Sequence, residues 1–202
     1  MDNWLEYAGV AFGVIYVLLA SRSNIWCWLT GIISSAIYIY INVTHQLFQD
    51  AILQTYYVVA GFYGWWLWSS PSQTLPSRVR RDETKGGGLN ANTNSRVTSF
   101  SLQQNAKLIF FGSLLVPVLG FVFAKLGNSL SYFDSAVTIF SFIATWMTAK
   151  KILENWLFWI VIDVVAAVMY FIKHLELTSA LYVFFAVIAA YGYYEWKKTL
   201  AK

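Results

Sequence analysis

Seven long apolar runs cross the sequence, separated by short polar breaks. They cover roughly residues 3–20, 25–43, 47–69, 105–125, 131–149, 155–173 and 177–197. Each is close to the ~20 residues a helix needs to span the hydrocarbon of a bilayer. The runs are continuous rather than alternating, so they predict helices, not the strands of a barrel. Pro117 falls inside the fourth run and predicts a kink there. The pattern predicts an all-α integral membrane protein with seven transmembrane helices.

Composition supports this reading. The chain is 58% hydrophobic and 12% charged, against about 25% charged in a typical soluble domain. With the N-terminus outside, the inner side receives Arg22, Arg78, Arg80, Arg81, Lys85, Arg96, Lys107, Lys150, Lys151, Lys197, Lys198 and Lys202. Only Lys125 and Lys173 fall outside. That asymmetry sets an outer N-terminus and a cytoplasmic C-terminus. The basic residues sit at membrane boundaries, which argues against nucleic acid as a partner and makes the lipid bilayer the first one. Residues 1–6 lack a basic leader region, so the first run is expected to be retained. Cys27 stands alone, which excludes an internal disulfide.

A shift of 128 residues brings the first third of the chain onto the last. Phe12 aligns with Phe140, Trp28 with Trp156, Leu53 with Leu181, Tyr63-Gly64 with Tyr191-Gly192, and Trp68 with Trp196. Two three-helix repeats joined by one linker helix would run parallel. That architecture occurs in transporters, with substrate bound near the midplane between the halves. The expected organisation is a first repeat at 1–69, a flexible polar connection at 70–104, a linker helix at 105–126, and a second repeat with a tail at 127–202.

Candidate chemistry centres on the sixth run. Trp156, Trp159, Asp163 and Tyr170 share one helical face, and Asp163 lies near mid-membrane. A carboxylate there is costly, by roughly 2.5–3.5 kcal/mol on insertion scales, and should face the bundle interior. The matching face of the second run carries Trp28, Gly31, Ser35, Tyr38 and Asn42. The third run offers Gln54, Tyr57 and Trp65 on one face, and the seventh offers Tyr182. Trp4, Trp66, Trp68, Trp146, Tyr194 and Trp196 lie near run ends and are expected as interface anchors. Aromatic faces around one acid and one amide suit a small, flat, cationic heteroaromatic compound. Sugar stacking is a looser alternative, and a non-transporting scaffold would need the same residues only for packing. No catalytic set, phosphate-binding loop, metal-ligand spacing or cofactor motif is evident. An enzyme is therefore not expected. Asp163 as a lone deep acid favours facilitated diffusion over ion coupling.

Several segments together are family-specific. They are Asn24-Ile-Trp26-Cys-Trp28-Leu-Thr-Gly31, Leu53-Gln54 with Tyr63-Gly64-Trp65, Glu154-Asn155-Trp156-Leu-Phe-Trp159-Ile-Val-Ile-Asp163, and Gly192-Tyr193-Tyr-Glu-Trp196. On these the chain resembles the PnuC family of bacterial vitamin transporters over nearly its whole length. The resemblance implies a three-plus-one-plus-three fold related to the SWEET sugar transporters, a homotrimer, and a bacterial inner-membrane location. It also implies vitamin uptake followed by phosphorylation by a separate cytoplasmic kinase. Trp156, Trp159 and Asp163, with Gln54 and Trp28, would line the substrate site. The tyrosine-rich helices look closest to the thiamine branch, PnuT. Nicotinamide riboside is the alternative substrate, with riboflavin behind it.

Overall fold

The computed structural model describes residues 3–45, 48–69, 97–125, 131–172, 174 and 176–200. Among them are seven helices: α1 Asn3–Ser21, α2 Trp26–Thr44, α3 Phe48–Ser69, α4 Leu102–Lys125, α5 Ser131–Ala149, α6 Asn155–Ile172 and α7 Glu176–Leu200. The apolar runs locate all seven. By length and composition, α1, α2, α4 and α6 are each apolar enough to cross a membrane. The others carry more polar side chains, and in α5 these are buried: Ser135, Ser141, Thr145 and Thr148. Two of them return their hydroxyls to their own helix, Thr145 to Ser141 O (2.8 Å) and Thr148 to Ala144 O (2.9 Å). Such bonds let a polar helix sit inside a bundle.

Six helices close into a ring. In order, α1 packs on α2, α2 on α3, α3 on α5, α5 on α6, α6 on α7, and α7 back on α1. Helix α4 stands outside and, among the described residues, packs on α5 alone. Its contacts run through Gly112, which faces Phe140 and Ile143, and Gly120, which faces Tyr132. Small residues of this kind let membrane helices approach closely. The rest of α4 is an exposed apolar surface that includes Phe110, Phe111, Leu114, Val118 and Phe121. The helix continues through Pro117 to Lys125.

Of the connection expected over 70–104, residues 70–96 lie outside the described residues, and 97–104 are structured. Thr98 pairs in parallel with Ile152. The Glu154 carboxylate accepts from Ser99 Oγ and from the Phe100 amide. Ser101 and Gln104 form a reciprocal capping box at 2.8 and 3.3 Å, which starts α4 at Leu102.

One end of the ring is sealed by four indoles. Trp28 meets Trp68 edge-on at 5.4 Å and 84°, and Trp156 meets Trp196 at 5.4 Å and 88°. Trp68 and Trp196 also face each other at 6.3 Å. Each donates across the ring: Trp68 Nε1 to Ala149 O (2.9 Å) and Trp196 Nε1 to Ala20 O (3.1 Å). Both are buried, so the interface-anchor expectation was wrong for this pair. Trp4, Trp66, Trp146 and Tyr194 are exposed as that expectation required.

Candidate functional site

The sequence-chosen residues separate into two levels along the ring. At the sealed end, Trp28 and Trp156 are each 2% exposed. Their rings lie flat on Gly64 and Gly192, where an added Cβ would run into the indole. The structure packs these two against other indoles rather than against Asp163. Their Nε1 groups are buried without a hydrogen-bond partner among the described residues. Trp65 is half-buried and meets Trp26 edge-on at 5.5 Å, also at this end. Gly31 receives the Tyr16 ring, which is a packing contact.

The second level lies about 12 Å further along α6, the rise of eight residues from its start at Asn155. Here Asp163 is buried. It has neither an ion-pair nor a hydrogen-bond partner among the described residues. Tyr57 from α3 and Tyr182 from α7 both lie within electrostatic reach of it. The two tyrosines also lie within electrostatic reach of each other. Tyr57 hydrogen-bonds with Ser141 of α5. Tyr182 stacks on Tyr170 at 5.2 Å and 11° and hydrogen-bonds with it.

Trp159 stands between the two levels, one turn before Asp163. Its Nε1 donates to Thr148 Oγ1 (3.3 Å), and Thr148 lies 3.0 Å from Asn155 Oδ1. Asn155 is itself tied to Ile152 O (2.6 Å). This chain orients the indole from behind and leaves its face half-exposed. Gln54, one turn before Tyr57 on α3, is half-buried, and its amide has no partner among the described residues. Tyr38 lies over Gly9 and within electrostatic reach of Tyr170 and Glu6, nearer the opposite end. Ser35 is buried on α2, while its neighbour Ser34 bonds to Gly9 O (2.8 Å). Asp50 and Asp134 lie within electrostatic reach of Tyr170. The unsealed end is therefore acidic and tyrosine-rich.

Sequence reasoning missed Tyr16, Ser141 and Thr148. Tyr16 is within electrostatic reach of Tyr57. A tyrosine in an apolar run carries no sign of which way it points, so only the ring closure reveals this.

A family model described as "Nicotinamide mononucleotide transporter" matches residues 3–198. The chain belongs to this family. It is a membrane transporter rather than an enzyme, and the PnuC resemblance holds at family level. It is 24% identical over 203 residues to the "Nicotinamide riboside transporter PnuC" of Escherichia coli (strain K12), covering 96% of this chain and 85% of that protein. The protein of the same name from Neisseria mucosa is 24% identical over 209 residues, covering 100% of this chain and 74% of its own length. The fold matches the "Crystal structure of the Vitamin B3 transporter PnuC" with a TM-score of 0.75 at 22% identity, covering 99% of this chain and 83% of that one. The leaning toward the thiamine branch finds no support in these relatives, whose names favour the alternative, nicotinamide riboside. The tyrosine content that suggested thiamine does not discriminate, because both vitamins are flat cations.

Proposed function

We propose that this protein carries nicotinamide riboside into the cytoplasm by facilitated diffusion. The observation that carries the reading is Asp163, a buried carboxylate with no counter-ion among the described residues and with Tyr57 and Tyr182 of two other helices within electrostatic reach. A cationic pyridinium ring supplies the missing charge, and aromatic faces attract such cations. Asp163, Tyr57, Tyr182 and Trp159 form the heart of the proposed site, and Gln54 and Tyr38 complete it. Trp28, Trp156, Trp65 and Ser35 support it from the packed shell. The relatives' names supply the choice of vitamin.

The proposal includes two parallel repeats related across the ring. Its support is the pairing of like contacts: Trp28–Trp68 with Trp156–Trp196, and the reciprocal bonds to Ala149 and Ala20. It includes seven spanning helices in the bacterial inner membrane, with the N-terminus outside and the indole-sealed end cytoplasmic. Trapping by a cytoplasmic kinase and assembly as a homotrimer belong to the same proposal.

Tryptophan fluorescence of the purified protein tests the vitamin. Titration with nicotinamide riboside should quench saturably, and thiamine and riboflavin at equal concentration should not. Saturable quenching by thiamine alone would restore the thiamine reading and refute this one.

A further inference from the structure

The turn between α1 and α2 and the turn between α5 and α6 border a half-open cavity of about 410 Å³ at the sealed end. Small-molecule sites span roughly 300–1,000 Å³. Arg22, Ser23, Asn24 and Trp26 line one side, with Trp68 and Lys151 on the other. Two cations border this space, and no acid lines it among the described residues.

Lys151 is the informative residue. It is 4% exposed, and its ammonium has no ion-pair or hydrogen-bond partner among the described residues. Its Nζ lies 4.3 Å from the Trp68 ring centre. Burial pushes its pKa down to about 8, the direction expected of a cation with no counter-ion. Its backbone is held at a φ of 51°, and Ser23 across the cavity at 54°. Non-glycine residues occupy this left-handed region only where surrounding structure enforces it. Here the Thr98 amide donates to Lys151 O (2.9 Å), and the Leu153 amide donates to Thr98 O (2.8 Å). The fold thus buries, against this space, a cation that has the Trp68 ring but no acid beside it among the described residues, a cost that an anionic ligand would offset.

We propose that this cavity binds a phosphate ester. Arg22 supplies a planar fork suited to phosphate oxygens and Lys151 a point charge. Ser23 and Asn24 offer neutral donors. The first amides of α2 are already taken, Trp26 N–H by Asn24 Oδ1 (3.0 Å) and Cys27 N–H by Asn24 O (3.1 Å), so the helix adds only the partial positive charge of its dipole. The phosphate belongs either to a soluble phosphomonoester or to the headgroup of an anionic phospholipid. Because Trp68 belongs to both the cavity wall and the indole seal, the bound ester braces that seal. The idea that a phosphorylated vitamin restrains its own uptake rests on the function proposed above; phosphate binding does not.

The experiment uses the full-length protein in phosphatidylcholine nanodiscs, titrated with ribose 5-phosphate and followed by tryptophan fluorescence. A parallel sample contains phosphatidylglycerol, and retained lipid is counted by native mass spectrometry. Arg22→Gln and Lys151→Met are compared with wild type, and nicotinamide riboside is titrated into every sample. Saturable ribose 5-phosphate binding, weakened at least tenfold by each substitution, establishes the soluble source. Retention of phosphatidylglycerol alone, reduced at least tenfold by each, establishes the headgroup. Neither ligand binding, or binding unchanged in both variants, overturns the proposal. Arg22 is exposed, so Arg22→Gln keeps the test decisive even if Lys151→Met fails to fold. Phosphate binding without nicotinamide riboside binding would refute the vitamin reading alone.

Discussion

Asp163 and Trp159 sit on one helix face and answer to different constraints. Asp163 has no partner to lose among the described residues, and a buried carboxylate is costly, so Asp163→Asn should leave thermal stability unchanged or raised while weakening nicotinamide riboside binding. That follows if the carboxylate is there for a ligand. A variant that loses stability but keeps affinity would make Asp163 a structural group. Trp159 is pinned through Thr148, so Trp159→Ala should cost about 0.5–2 kcal/mol of binding, the value of one cation–π contact. Equilibrium titration of the folded variant gives the answer. The sequence made this face legible because polar and aromatic residues recur at helical spacing around one mid-membrane acid. It did not distinguish Trp156 from Trp159. Both lie on that face, yet one rests on Gly192 within the seal and the other is held half-exposed by Thr148. The difference arises from neighbouring helices, which spacing along α6 cannot report.

At the scale of elements, Gly64 and Gly192 let α3 and α7 approach the indoles of α2 and α6. Gly64→Ala and Gly192→Ala should each destabilise the protein by about 1–3 kcal/mol, the usual cost of overpacking. A melting temperature unchanged in both would mean that the indole contact is loose. The bonds from Trp68 and Trp196 are worth less, since interhelical hydrogen bonds in membranes average about 0.6 kcal/mol. Hydropathy located every helix because seven runs of suitable length stand out against a low-charge chain. The start of α4 was hidden because its determinants are polar. The Ser101–Gln104 box and the Glu154 carboxylate look like ordinary linker residues until α6 is beside them.

For the whole molecule, the ring order places α1 beside α7 and α3 beside α5, which no local pattern dictates. The internal match at 128 residues hinted at it by pairing Trp28 with Trp156 and Trp68 with Trp196. It did not show that these four meet, because tryptophans at helix ends ordinarily mark the interface. Orientation is testable in intact cells because the native Cys27 is fully buried. A membrane-impermeant maleimide should label Trp4→Cys directly and Lys198→Cys only after permeabilisation. The reverse pattern would invert the proposed topology.

The central claim is that a mid-membrane carboxylate with no partner among the described residues receives a cationic vitamin. Counterflow of labelled nicotinamide riboside in proteoliposomes measures it most directly, because exchange needs no ion gradient and no kinase. Wild-type protein should exchange the label, with unlabelled nicotinamide riboside competing and thiamine not. Asp163→Asn should exchange it at least tenfold more slowly at equal protein content. Exchange that is absent from wild type, or undiminished by Asp163→Asn, would contradict the claim.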